Sequence, residues 1–149
     1  MYSRISLGSD HAGFELKEKI KSYLNTITDH KLEINDWGCY SEDRVDYPDF
    51  AHKVAEDITL NKSDLGILVC GSGNGISMAA NKWEGIRCAL CWNSEISKMA
   101  RLHNDANILS LPGRYISLEE AIKCVDEFLN TPFEGGRHSE RIQKIPKNL

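Results

Sequence analysis

Four stretches of this 149-residue chain carry side chains able to do chemistry. The richest is Leu65-Gly66-Ile67-Leu68-Val69-Cys70-Gly71-Ser72-Gly73-Asn74-Gly75-Ile76. Its apolar run Ile67-Leu68-Val69 reads as a strand buried on both faces, and the residues from Ile76 to Asn81 have helix-compatible spacing. A strand, a glycine turn and a helix start together point backbone N–H groups at an anion. Glycine lets the ligand come close because no Cβ intervenes. A thiol at such an electropositive helix start is favoured as thiolate, the reactive form. The plainer reading is a tight turn beside a buried cysteine. Three glycines alternating with Ser72 and Asn74 are more than a turn requires, so an anion site built from Gly71, Ser72, Gly73, Asn74 and Gly75 is preferred. The turn is not a P-loop, since no Gly-Lys-Ser/Thr follows. It is not a dinucleotide fingerprint either, since the next strand ends in Trp92-Asn93 with no acid to hold a ribose.

The second stretch is Ser9-Asp10-His11-Ala12-Gly13, directly after the first predicted strand. A histidine at a strand end is usually structural; Asp10-His11 facing a glycine-rich anion turn is a better candidate than most. The third is His103-Asn104-Asp105, at the end of a helix on which His103 shares a stripe with Ile96, Met99 and Ala100. Taken alone, that placement reads as a core histidine under a helix end. The fourth is the tail, Gly135-Gly136-Arg137-His138-Ser139-Glu140-Arg141. If Arg137 starts a short helix, Arg141 lies one turn on and shares its face, and two guanidiniums on one face suit a phosphate. The alternative is a solvated basic tail. His30, His52 and His138 show no metal-ligand spacing. Cys88-x-x-Cys91 lies in a strand, where residues three apart face opposite sides, and no second pair completes a zinc site. Neither metal nor cofactor is expected.

The elements that must position these groups alternate in type. Strands are predicted at Arg4 to Gly8, Lys31 to Asp36, Leu65 to Cys70, Arg87 to Leu90 and Ile108 to Leu111. Phe14 to Leu24 reads as a helix with Leu16, Ile20 and Leu24 on one stripe. After a polar loop over 37–48, Asp46 is placed to cap a helix with Pro48 in its first turn, carrying Ala51, Val54, Ala55 and Ile58. Ser94 is expected to cap the helix that ends at His103, and Ser117 the last long one, with Glu120 completing a capping box. Alternating strands and helices make an open parallel α/β sheet with helices on both faces. Ligands bind such sheets at the carboxyl ends of the strands, at a switch point. Bringing Asp10-His11 and Cys70 to one crevice requires strands one and three to be neighbours, and the order 2-1-3-4-5 follows. With no linker or repeat, residues 1–149 form one domain, its tail at 132–149 outside the alternation.

Composition narrows the function classes. The net charge of −4 argues against non-specific nucleic-acid binding. No apolar run approaches membrane-spanning length, and with a strand pattern starting almost at once no signal peptide is expected. Five cysteines without framework spacing point to a reducing, cytoplasmic setting.

Jointly, Ser9-Asp10-His11-Ala12-Gly13, Asp46-Tyr47-Pro48, Cys70 to Ser77, Ala80-Asn81-Lys82, Gly85-Ile86-Arg87, His103-Asn104-Asp105 and Gly135-Gly136-Arg137-His138 resemble ribose-5-phosphate isomerase B. The wider family includes galactose-6-phosphate and allose-6-phosphate isomerases. The resemblance runs to about Ile142. It implies a Rossmann-like homodimer, with a tetramer of paired dimers as the alternative, that interconverts an aldose phosphate and a ketose phosphate of the pentose phosphate pathway through an enediolate. By the resemblance, Cys70 is the base that moves the proton between C1 and C2. A second branch of the family uses a Glu at the position of Ile76, so this chain resembles the cysteine branch. The turn from Gly71 to Gly75 matches the anion hole, Ser72 a hydroxyl near the substrate oxygens, and His103, assisted by Asp10, the group that opens the furanose ring. Asn104 matches a substrate-binding residue; His11, Arg114, Arg137 and Arg141 match the phosphate site that the tail completes. The resemblance also implies that His103, Asn104 and Arg114 cross the dimer interface. A six-carbon substrate is the alternative within this chemistry, with loop 37–48 as the source of the difference. A phosphate- or nucleotide-binding regulator without catalysis is the alternative outside it, and such a binder needs neither Cys70 nor His103.

Overall fold

β-Branched and aliphatic runs too short for helices form the centre of the molecule, and amphipathic helices cover them. The computed structural model describes residues 2–27 and 32–147; His30 and Lys31, named above, and the last two residues of the tail lie outside that range. In chain order the elements are β1 (Arg4–Ser9), α1 (Phe14–Ile27), β2 (Glu33–Asp36), α2 (Tyr47–Thr59), β3 (Leu65–Cys70), α3 (Asn74–Ala80), β4 (Cys88–Leu90), α4 (Ser94–Asn104), β5 (Ile108–Pro112), α5 (Leu118–Asn130) and α6 (Arg137–Ile142). The sheet is parallel throughout. Two apolar layers lie against it. On one face Leu16, Ile20 and Leu24 of α1, Ala100 of α4, and Ala121, Val125 and Phe128 of α5 pack on Ile5, Leu7, Ile67 and Leu109. On the other, Ala51, Val54 and Ala55 of α2 and Ile76 and Ala80 of α3 pack on Leu68, Cys70 and Ile108. Period-2 alternation along β3 therefore sends Ile67 and Val69 to the first layer and Leu68 and Cys70 to the second. The fold is the expected Rossmann-like α/β sandwich.

The strand order corrects the expectation. It is 2-1-3-5-4, not 2-1-3-4-5. β5 pairs with β3 from Gly66↔Ile108 to Cys70↔Pro112, and β4 pairs with the far side of β5. Burial explains the exchange. Every residue of β5 is buried, whereas all of β4's three residues are only half-buried. A strand fully covered on both faces belongs in the middle of a parallel sheet, and a short one at its edge. The switch point between β1 and β3 stands as predicted.

Several caps differ in detail. Asn93, not Ser94, is the N-cap of α4, its side chain accepting the Ile96 N–H at 2.9 Å. Ser117 caps α5 by accepting from the Glu120 N–H, but the Glu120 carboxylate turns away to accept the Ser94 N–H at 2.7 Å, tying α5 to α4. Asp46 occupies the N-cap position of α2 without a side-chain hydrogen bond. Two buried charges lock the layers: Lys17 Nζ donates to both oxygens of Asp36, each at 2.9 Å, and Asp57 Oδ2 accepts from Ser6, Asn35 and Trp37.

Candidate active site

At the carboxyl ends of β1, β3 and β5 the structure assembles one half of the predicted site. Cys70 ends β3 and is only 4% exposed. Its Sγ accepts the Gly73 N–H at 3.1 Å. That contact is made because Gly73 takes φ +74, a left-handed conformation that turns the chain back over the thiol. Buried Ser110 of β5 pins the turn by donating to the Gly73 carbonyl at 2.8 Å. The N–H groups of Gly71, Ser72 and Gly75 donate to nothing else among the described residues. They form an open set of donors beside a thiol, as the sequence predicts. Ser72 Oγ accepts the Asn74 N–H at 3.3 Å at the rim of the turn.

Asp10 and His11 face this turn from β1. The Asp10 N–H donates to the carbonyl of Val69 at 3.2 Å, and its buried carboxylate accepts the Gly13 N–H at 3.0 Å. Gly13 lies so close to β3 that a Cβ would sit 2.3 Å from the Val69 carbonyl oxygen, so only glycine brings the loop onto the strand. His11 Nδ1 lies 3.3 Å from both the N–H and the carbonyl of Val45, which orients the ring from the loop before α2.

Arg114 corrects a further expectation. Its backbone N–H donates to the Gly71 carbonyl of the same chain at 3.0 Å, and its Nη1 would lie 3.4 Å from a Cβ at Gly71. β5 is adjacent to β3, so its carboxyl end delivers Arg114 directly to the Cys70 crevice with no need of an interface.

His103 and Asn104 are elsewhere. A crossover helix runs antiparallel to its strands, so α4 ends at the amino-terminal edge of the sheet. The contacts agree: the Asn104 carbonyl accepts from the Arg87 side chain just ahead of β4, and the neighbouring Asn107 carbonyl accepts the Gly66 N–H at the start of β3. A six-residue strand separates this edge from Cys70 by about 16 Å. His103 is not a core histidine; 36% of its side chain is exposed. The His138 ring stacks on it with 4.3 Å between centroids and 13° between planes. Glu134 lies beside both, tied to α4 by its N–H on the Leu102 carbonyl at 3.0 Å. α6 begins at Arg137 as predicted, and Arg137 and Arg141 are exposed, with no side-chain hydrogen bond or ion pair among the described residues. The predicted site residues thus form two groups at opposite edges of one sheet. Asp10, His11, the Cys70 turn and Arg114 make the first, and His103, Asn104, Arg137 and Arg141 the second.

Three residues are given no role by the sequence alone. Glu134 and His138 join His103 through tertiary packing; the i,i+4 spacing of the pair was the available signal. Tyr47, in the Asp46-Tyr47-Pro48 motif, lies over the turn so closely that a Cβ at Gly75 would be 2.6 Å from its Cζ. Among the other thiols, burial and the neighbouring thiols of Cys91 and Cys70 push Cys88 up, and burial pushes Cys91 and Cys124 up to about 12. These remain protonated at neutral pH. Cys88 and Cys91 pack into opposite layers, as residues three apart on a strand should.

Comparison with known proteins matches this fold. The family described as Ribose/Galactose Isomerase covers residues 5–145. Ribose-5-phosphate isomerase B of Escherichia coli K12 is 42% identical over 142 residues, 95% of this chain and 93% of that protein. The crystal structure of a Thermotoga maritima ribose 5-phosphate isomerase superposes with a TM-score of 0.91 at 55% identity, covering 96% of this chain and 97% of that one. That of ribose-5-phosphate isomerase B from Mycoplasma genitalium, solved with ribulose-5-phosphate bound, has a TM-score of 0.89 at 44% identity, covering 95% and 93%. A family match over nearly the whole chain, on the same fold and with a cysteine-and-glycine turn at the switch point, means that the chain belongs to the ribose/galactose isomerase family.

Proposed function

We propose that this enzyme interconverts ribose 5-phosphate and ribulose 5-phosphate through an enediolate, in a site shared between two copies of the chain. The observation that carries the reading is the Cys70 thiol beside the free N–H groups of Gly71, Ser72 and Gly75. A carbon-bound hydrogen next to a carbonyl is a weak acid, so the rate depends on stabilising the oxygen that becomes negative. Fixed N–H donors do so without reorganisation, and losing one typically costs ~10²–10³ in rate. Cys70, acting as the base, takes the C2 proton of the open-chain aldose. The electron pair moves onto O1, giving the enediolate held by the turn. The proton returns to C1 while the O2 hydrogen passes to O1, so the sugar is redistributed internally and no external oxidant or reductant enters. Ser72 lies at the rim of the turn, where it orients the hydroxyls.

The ring must open first. The partner subunit's His103 acts there with Asp10, and the partner subunit's Asn104 binds the sugar. The sheet supports this division, because His103 lies at the wrong edge to reach Cys70 of its own chain. His11 and Arg114 from one chain, with Arg137 and Arg141 from the other, take the phosphate, which does not react and so serves to fix the sugar. The five-carbon substrate is supported by the Mycoplasma genitalium relative, which binds ribulose-5-phosphate. The test is to incubate the protein separately with ribose 5-phosphate and allose 6-phosphate and assay the ketoses. Ribulose 5-phosphate is expected as the faster product. Cys70→Ala should cut turnover by ~10²–10⁴ without lowering Tm appreciably. Near-wild-type turnover in that variant would sink the mechanism, and faster turnover of allose 6-phosphate would move the enzyme to six-carbon sugars.

A further inference from the structure

The His103–Glu134–His138 cluster holds three good metal ligands, and one is in a state that calls for explanation. His138 is 5% exposed, and its Nε2 is fully buried without a hydrogen-bond partner. It lies 3.2 Å from Glu134 Oε2 but is aligned too poorly to donate to it. An orphaned buried nitrogen costs stability unless a water or ion completes it. His103 Nε2 is 3.7 Å from the same Glu134 oxygen, and the three donor atoms lie within 4.8 Å of one another. Zinc binds imidazole nitrogen and carboxylate oxygen at about 2.0–2.2 Å, so ligand atoms around a tetrahedral ion are about 3.4 Å apart. The two measured separations bracket that value. The supports are firm at two corners: Glu134 is anchored to α4 by its N–H on Leu102, and the His138 N–H is held by the Gly135 carbonyl at 3.1 Å. The third ligand, His103, is half-exposed with its ring stacked on His138, and it joins the ion by turning out of that stack. Two histidines and a glutamate leave a fourth position for water, and imidazole selects zinc-like ions over magnesium or calcium.

We propose that His103, Glu134 and His138 form a binding site for a divalent transition-metal ion of the zinc type, and that its occupancy inhibits the enzyme. Coordination takes the His103 imidazole out of proton transfer. The inhibition, unlike the binding, rests on the role proposed above for His103.

Zinc chloride titrated calorimetrically into the Cys70→Ala protein tests the binding, with the active-site thiol excluded as a ligand. One zinc per chain is expected, and magnesium chloride should give no signal. Glu134→Gln and His138→Gln, each in the same background, should weaken zinc binding ~10-fold or more. Glu134 is exposed, so its variant is the one expected to fold normally, and circular dichroism checks both. In the enzyme with Cys70 intact, zinc should inhibit over its binding range, EDTA should restore turnover, and Glu134→Gln should shift inhibition to proportionately higher zinc. Absence of binding, or equal affinity in a folded Glu134→Gln protein, would overturn the site. Tight binding with undiminished turnover would overturn the inhibition and, with it, the role given to His103.

Discussion

Mixing two inactive variants is the sharpest test of the shared site. His103 and Cys70 sit at opposite edges of the sheet, about 16 Å apart along a six-residue strand. No rotamer of one side chain closes that gap. A two-fold axis that presents the amino-terminal edge of one chain to the carboxyl-terminal crevice of the other joins the halves twice, once at each site. Cys70→Ala and His103→Ala chains are each expected to be nearly inactive. After unfolding and joint refolding of an equimolar mixture, half of the dimers should be mixed. In a mixed dimer one site combines both defects. The other pairs an intact Cys70 with an intact His103. Activity should therefore return to about a quarter of wild type, one site in four being whole. The assay is initial-rate conversion of ribose 5-phosphate, with chains carrying different affinity tags so that mixed dimers can be isolated and counted. Pure mixed dimers should run at about half the wild-type rate. Isolated mixed dimers as inactive as the parents would refute the reasoning and require each site to lie within one chain.

Two further outcomes test other parts of the account. Arg137→Ala and Arg141→Ala should chiefly raise KM, with a smaller fall in kcat where phosphate anchoring sets the reacting geometry; steady-state kinetics giving unchanged KM for both would remove α6 from the site. Asp64 reports on folding: burial pushes its carboxyl up, but the Arg4 guanidinium and the backbone N–H groups of Ser3 and Arg4 outweigh that and hold it at about 2. A value depressed in the folded state contributes stability above the unfolded carboxylate range and loses it as pH falls through the folded value. Asp64→Asn should thus cost about 1–2 kcal/mol near pH 7, solvent screening included, with the gap closing between about pH 4 and 2; urea denaturation showing a pH-independent gap would contradict it.

The α/β alternation was legible because each element carries its own period: Leu16, Ile20 and Leu24 repeat as a helix, and Ile67-Leu68-Val69 is too short and too apolar for anything but a covered strand. The Cys70 turn was legible for the same local reason, since glycine spacing is a backbone property. The order of the last two strands was not, because pairing is a contest between elements. Chain adjacency favoured β4 beside β3, and it lost to burial: Ile108-Leu109-Ser110-Leu111 has apolar cover for two faces, whereas Cys88-Ala89-Leu90 offers three half-buried residues. That exchange moved Arg114 from a distant strand to the crevice. His103 was misleading in the opposite way. Its stripe continues Ile96 and Ala100, but the apolar cover of α4 runs out one turn before the helix does, and the last turn faces Glu134 and His138 instead. No periodicity could report that, because the partners come from beyond α5. The two groups of site residues follow from one rule of parallel sheets. Strand ends and crossover-helix ends lie at opposite edges, so a chain that places Cys70 on the first and His103 on the second keeps them apart whatever the order of its strands, and the proposal of a shared site rests on that separation.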